Sequence, residues 1–413
     1  MLTLIALRNL TRNRRRTLFS LLVVSVGTAG LLLTAGFVRY SFNGLRDAII
    51  QGGLGHLEVT SALAGSSGTS QAARSGLPPG LGHWRETRAT IEARPGVRSA
   101  GATIQFAGVA TKGERSGSFL GVAVEPDRER RMGFEVKLRR GANLPDAEPA
   151  EGEGHVLLGV GLTRALNAFP GDVITIMTAT ADGSLNALDV TVAGVFSTGF
   201  QDLDDRILKM HVDTAQRLLS TDLVTSLVVS LKDTNTTRDA ERDLRRTLAN
   251  SSTPLSIADW QTRAPFYGQV RALYTGIFAF LGTVVALLVA LSISNTLLMS
   301  VLERVREFGT LLAIGTSRAQ LGRLLMLEAL WLAFLGGIAG STLSIGLIAL
   351  INVLKIEMPP PPAAVDPVQL ALAVVSTDFL WAMAFMAAIL SVSAIAPMLR
   401  VFRLQIVEAL GHV

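Results

Sequence analysis

Four stretches of the chain run without a charged side chain for long enough to cross a bilayer. They are Leu18 to Val38, Ala272 to Leu302, Ala329 to Leu354 and Phe379 to Leu399. A membrane helix needs about 20 predominantly apolar residues, because each adds only ~1.5 Å of rise against a core ~30 Å thick. The pattern therefore predicts spans at 17–38, 272–302, 324–354 and 379–399. The second is longer than a bilayer requires, which predicts a helix that continues beyond the membrane. Between the third and fourth spans lies the run Pro359 to Pro362, which stops any helix and predicts a stiff connection across 355–378.

The polar middle of the chain, 39–271, has a different period. GHLEVTSA (Gly55 to Ala62) alternates as a half-buried strand does, and a Gly/Ser-rich loop follows from Ala64 to Gly82. Trp84 to Ala93 reads as a helix that stops at Pro95-Gly96, with strands at Val97 to Ala110 and Ser116 to Val124. A loop rich in Pro, Gly and acidic residues ends near Glu153. Beyond it come a strand at His155 to Val160, a helix at Leu162 to Asn167, and strands at Val173 to Thr178 and Asp189 to Val195. Asp182-Gly183 between the last two signals a hairpin. A strand from Arg206 to Val212 and a helix from Asp213 to Leu219 follow. Ser226 to Leu231 and Arg238 to Leu248 then return as strand and helix. The expectation is an α-helical membrane protein with four transmembrane helices and a large mixed α+β domain between the first and second. Within that domain a β-rich unit at 151–221 is set into a first unit at 39–150 and 222–271.

Charge orients this arrangement. The net charge is +5, but the densest arginines flank apolar runs and do not form a nucleic-acid stripe, so no nucleic-acid partner is expected. Arg8, Arg12, Arg14, Arg15 and Arg16 precede the first span; Arg304, Arg306, Arg318 and Arg323 lie between the second and third; Arg400 and Arg403 follow the fourth. The only basic residue of the short connection 355–378 is Lys355. The positive-inside rule puts 1–16, 303–323 and 400–413 in the cytoplasm and 39–271 outside. Leu4, Leu7 and Leu10 recur among the first arginines, as in a helix lying on the membrane lipids with its arginines on phosphates. The run from Leu18 to Val38 exceeds the 7–15 residues of a signal-peptide core, which favours an uncleaved span.

Several chemistries find no residues here. With no cysteine there is no thiol nucleophile or disulfide framework. No phosphate loop, nucleophile elbow or His-Glu-x-x-His motif occurs, and the five histidines are scattered. The densest acidic cluster, Asp202-Leu203-Asp204-Asp205, reads as a solvated turn rather than a divalent-cation site. Glu328 and Asp378 sit near span ends, within reach of water, so an ion-coupled carrier is disfavoured. The chain is expected to be non-catalytic, with no metal or cofactor of its own.

The charged break at 303–323 has a shape. Glu303 to Ala313 can extend the second span as a helix, Gly315 can stop it, and Ser317-x-x-Gln320 fits a capping box that starts the next. Phe308, Leu311 and Leu312 have no evident lipid or core to cover, and Arg304, Arg306 and Glu307 surround them. An apolar centre with a charged rim predicts a docking surface for a soluble partner. In the third span, Gly336-x-x-x-Gly340 permits close helix packing.

The stretch ERVREFGTLLAIGTSRAQL (Glu303 to Leu321) resembles the cytoplasmic segment of the FtsX/MacB/LolC-LolE superfamily of ABC transporter permeases. ALRNLTRNRRRT (Ala6 to Thr17), IVEAL (Ile406 to Leu410) and GFQDLDDRILKMHVDTAQRLL (Gly199 to Leu219) resemble its ends and its outer domain. The resemblance implies a bacterial inner-membrane permease that works with two ATPase subunits and with a second copy of itself or a paralogue. ATP and magnesium would sit in the ATPase, and a coupling helix formed by Arg304, Glu307, Phe308, Gly309, Leu311, Leu312, Gly315 and Ser317 would enter a cleft in it. Motion of the spans would then lever the outer domain, whose two units would be the Porter and Sabre subdomains of a periplasmic domain. An unfused chain with four spans and a large outer domain is most similar to permeases of the LolC/LolE type, which implies lipoprotein release to a periplasmic carrier. The alternatives are a MacB-like efflux permease with an adaptor protein, and an FtsX-like regulator of cell-wall hydrolases.

Overall fold

A computed structural model describes residues 6, 8, 9, 12, 14–62, 80–134, 136–147, 154–249, 254–358 and 368–403. Leu4, Leu7 and Leu10, most of the Gly/Ser-rich loop, Pro359 to Pro362 and the IVEAL tail lie outside them. The chain forms two units, one made of 1–43, 270–358 and 369–413, the other of 44–269 and 359–368.

The first unit is helical. Its long helices are α1 (Arg14–Ile49, which carries on into the second unit), α9 (Pro265–Glu303, which starts there), α11 (Arg318–Leu354) and α12 (Ser376–Ser393). Short helices α10 (Val305–Ala313) and α13 (Ile395–Phe402) follow α9 and α12. Four candidate membrane spans result, 14–54, 265–303, 318–354 and 376–402. The helices run past the apolar stretches at several ends because helix propensity does not stop where lipid does; α1, for example, continues to Ile49. Val24, Val289, Ile293, Leu297, Leu332, Met386 and Leu390 make a shared core.

Gly336 and Gly340 of α11 lie against α1. A Cβ at Gly340 would sit 2.5 Å from the Ser25 carbonyl oxygen, and one at Gly336 would sit 2.6 Å from Val24. The bare backbone there lets Ser25 Oγ donate to the Gly336 carbonyl at 3.2 Å. At the other end of the unit, the Asn352 side chain bonds both the N–H and the C=O of Leu372, which stitches α11 to the segment entering α12.

The second unit is α+β, with helices α2 (Trp84–Glu92), α3 (Pro126–Met132), α4 (Val160–Leu166), α5 (Gln201–Asp204), α6 (Val212–Leu219), α7 (Thr237–Leu248) and α8 (Trp260–Arg263). Strand β2 (Val97–Lys112) organises it, because its two halves serve different neighbours. Residues 97–103 pair with β9 (Ser226–Leu231), which pairs with β1 (Leu57–Ser61), and β1 with β10 (Leu255–Asp259). Residues 104–112 pair with β3 (Arg115–Val124), and 109–111 also with β6 (Val173–Ala179). β3 runs parallel to β8 (Ile207–His211), β8 antiparallel to β5 (Gly154–Gly159), β5 parallel to β7 (Leu185–Ser197), and β7 returns to β6. The ring β2–β3–β8–β5–β7–β6 closes on itself and leaves no edge among its members. β4 (Lys137–Gly141) adds to β7 outside the ring. Strands from 39–150 and from 151–221 therefore share one sheet.

The hairpin at Asp182-Gly183 forms, with Ala179 opposite Leu185 and Gly183 at φ +90°. The acidic turn differs from its expectation. Asp204 is buried and accepts from Ser197 Oγ and from the Thr198 N–H and Oγ1 at 2.6–2.7 Å, so its carboxylate ties a short helix (Gln201–Asp204) to the end of β7. Among the described residues no group of three or more His, Cys, Asp or Glu could hold a metal ion.

Candidate functional site

The break between α9 and α11 is an elbow built from local signals. The helix expected to run on from the second span to Ala313 breaks instead at Arg304, which leaves helical geometry (φ −110°, ψ 16°), and α10 begins one residue later. At its far end Gly315 adopts φ +98°, a left-handed conformation that costs glycine little. The Gly315 N–H then donates to Leu312 O at 3.1 Å and the Thr316 N–H to Leu311 O at 3.0 Å, the paired bonds of a Schellman stop. Two residues on, Ser317 and Gln320 form a reciprocal capping box: Gln320 N–H to Ser317 Oγ at 3.2 Å and Ser317 N–H to Gln320 Oε1 at 2.8 Å. A stop and a start this close leave α10 little freedom to swing.

The side chains correct one expectation. Phe308 is 1% exposed, and so it is no docking surface. It packs with Val301, Leu321, Leu325 and Val401, and Leu311 and Leu312 lie half-buried against the same cluster. The apolar face of α10 is covered by the start of α11 and by α13, whose approach the local sequence does not announce. Gly309 is buried beside Phe308. The exposed face carries Arg306, Thr310, Ala313 and Ser317, with Ile314 at its tip, 75% exposed. Ile314 is the residue that sequence reasoning passed over; its position at the cap of the Schellman turn was the available signal.

A charged network braces the elbow. Arg304 Nε meets Glu307 Oε2 at 2.9 Å and its Nη1 meets Glu328 Oε1 at 3.3 Å, and its guanidinium stacks over the Phe308 ring at 5.1 Å. The N-terminal segment joins in. Arg12 pairs with Glu307 at 2.6 Å, Arg16 with Glu303, and Asn9 Nδ2 donates to Glu328 Oε1 at 2.6 Å. The bonds from Arg304 first, then Arg12, hold the Glu307 carboxyl below the usual carboxylate range. Glu328 is 4% exposed, so it does not reach water as its position near a span end implied; two donors replace the solvent. At the opposite end of the helical unit, Asp378 pairs with Arg39 and accepts from the Val375 N–H at 3.0 Å. Arg12 and Arg16, four residues apart, share one helical face, the signal that would have linked them to the elbow.

The elbow is a short helix held at both ends, backed by apolar packing and salt-bridged to the first helix, with one face exposed.

Comparison with known proteins gives two matches that together cover most of the chain. Residues 17–247 match the model of the MacB-like periplasmic core domain, and 279–406 match that of the FtsX-like permease C-terminal region. The lipoprotein-releasing system transmembrane protein LolC of Xylella fastidiosa (strain 9a5c) is 22% identical over 81% of this chain and 79% of its own length. LolC of Neisseria meningitidis serogroup B is 24% identical over 62% of each chain. The pyoverdine export ATP-binding/permease protein PvdT of Pseudomonas syringae pv. syringae is 26% identical over 39% of this chain and 25% of its own.

Proposed function

This chain belongs to the FtsX/MacB/LolC family of ABC transporter permeases, and we propose that it is the membrane subunit of a lipoprotein-releasing complex driven by a separate ATPase. The observation that carries the substrate class is the extent of the LolC match, which spans four-fifths of both chains, whereas the exporter PvdT matches over 39% of this one. In this reading two ATPase subunits bind ATP and magnesium beneath a pair of permeases, the second being another copy or a paralogue. The arginine distribution supports a topology with both termini and the elbow in the cytoplasm and the α+β unit in the periplasm. ATP-driven closure pushes on the exposed face of α10, and the braced elbow passes the displacement to α9 and α11. The periplasmic unit, made of Porter-like 39–150 and 222–271 and Sabre-like 151–221, moves the lipoprotein toward a carrier. Among the proposed coupling residues, Arg304, Glu307, Phe308, Gly309, Leu311 and Leu312 act by holding the elbow's shape, and Gly315 and Ser317 by setting its ends.

The test is reconstitution of the permease with its ATPase in vesicles that carry a fluorescent acylated protein. The expected result is ATP-dependent appearance of that protein in the soluble phase when a periplasmic carrier is added. ATP-dependent movement of small amphiphiles with the acylated protein left in the membrane would replace this reading with efflux.

A further inference from the structure

Between the start of α1, the end of α9 and the first turns of α11 lies a polar cleft of about 150 Å³. Asn9, Arg12, Arg16, Ser20, Ser300 and Arg304 contribute polar groups to its wall, with Glu303 and Glu328 beside them. Two of these groups are anomalous. Ser20 is 1% exposed and its Oγ meets no hydrogen-bond partner among the described residues; the same holds for the buried Nη1 of Arg16. The other amino nitrogen of that guanidinium, Nη2, is spent on Glu303. Arg16 and Ser20, four residues apart on one helix, both line the cleft, so two donors without partners among the described residues stand in the wall of a space large enough for a small group. Leaving a buried charged donor unpaired is costly, and proteins rarely do so without a water or ion to receive it.

We infer that this cleft binds a phosphodiester, and that its source is the headgroup of a phospholipid in the leaflet at this end of α1. Arg16 Nη1 and Ser20 Oγ donate to the phosphate oxygens, and Arg12 and Arg304 supply field from behind. The lining residues carry three guanidiniums (Arg12, Arg16, Arg304) and two carboxylates (Glu303, Glu328), and Glu307 stands behind Arg12 and Arg304. The lining alone holds one positive charge in excess and Glu307 offsets it, so the site disfavours a polyphosphate and takes at most a singly charged diester, held by the two unpaired donors rather than by net charge. Depth agrees. Arg16 directly precedes the apolar run of α1, and Glu303 ends α9, so the cleft lies where headgroups meet the hydrocarbon. The inference needs only that α1 and α9 cross a bilayer, and it is independent of which substrate the complex moves. One consequence concerns the elbow: the bound phosphate would share its wall with Arg304 and Glu303, so lipid and elbow would be read by the same side chains.

The experiment is lipid titration of the full-length chain in detergent, with bound lipid counted by native mass spectrometry. The probes are phosphatidylglycerol and dioleoylglycerol, which has the same tails and no phosphate, with inorganic phosphate as a soluble competitor. Wild type should retain phosphatidylglycerol and not dioleoylglycerol. Ser20→Ala should weaken retention about tenfold, the worth of one hydrogen bond to a charged group, and Arg16→Gln at least as much. Arg39→Gln, an equal loss of charge at the far end of α1, should leave it unchanged. Retention that resists millimolar inorganic phosphate assigns the site to the lipid; displacement by it would overturn the lipid as the ligand and give the donors to free phosphate. Equal phosphatidylglycerol retention by wild type and a folded Ser20→Ala chain would overturn the inference and leave the cleft to water.

Discussion

Replacing Phe308 with alanine separates a packed elbow from an exposed docking residue. The ring is 1% exposed and touches Val301, Leu321, Leu325 and Val401, contributed by α9, α11 and α13. Truncating a buried phenylalanine costs about 3–5 kcal/mol, and loss of the Arg304 guanidinium stacked on it adds ~0.5–1 kcal/mol. Relaxation at a site so near the membrane surface favours the low end, about 3 kcal/mol. Spent on local opening of the elbow, that raises the open population roughly 100-fold. The assay is limited proteolysis in nanodiscs, with cleavage between Arg304 and Arg323 followed by peptide mapping. Phe308→Ala should be cut far faster there than wild type, and Phe308→Leu, which keeps most of the volume, only a few-fold faster. An unchanged cleavage rate for Phe308→Ala would refute the packing argument and return the ring to a surface role.

Two further outcomes follow from other parts of the chain. Gly340→Ala should destabilise the helical unit by about 1–3 kcal/mol, since its Cβ would lie 2.5 Å from the Ser25 carbonyl, whereas Gly346→Ala, with open space around it, should not; thermal unfolding in detergent compares them. His56 is buried; its Nδ1 accepts from the Leu231 N–H at 3.1 Å, so its Nε2–H donates to Thr234 Oγ1 at 3.0 Å, and burial first, then Arg98 and Arg46, lowers its pKa from 6.5 to about 4. A base whose folded pKa is depressed contributes stability that is complete above ~6.5 and is lost as pH falls toward 4, here about 2 kcal/mol after solvent screening. Urea unfolding followed through Trp84 and Trp260 should show that loss between pH 7 and 4.5, and a His56→Gln chain should not.

Much of this architecture is written locally. Span positions follow from uncharged runs, and the elbow's ends from Gly315 and the Ser317–Gln320 pair, because stops and caps depend on residues within a turn. The strand at 57–61 shows its alternation directly, buried and half-buried in turn. What stayed hidden depends on distant chain. Phe308 looked exposed because Val401, almost a hundred residues later, covers it. Glu328 looked solvated because its partners Asn9 and Arg304 come from other segments. Asp204 looked like a surface acid until the end of β7 supplied its donors. The double use of β2 could not be read either, since no local pattern says which strand a sixteen-residue run will pair with at each end.

The central claim is that the exposed face of α10 is where the ATPase docks, with Ile314 at its tip. Its most direct test is co-purification of the ATPase with full-length permease carrying Ile314→Asp. A charge placed at the centre of an interface typically costs about 2 kcal/mol or more. The ATPase recovered per permease should therefore fall more than tenfold, while proteolysis of the elbow and thermal unfolding stay as in wild type. Undiminished ATPase binding by the Ile314→Asp chain would contradict the claim.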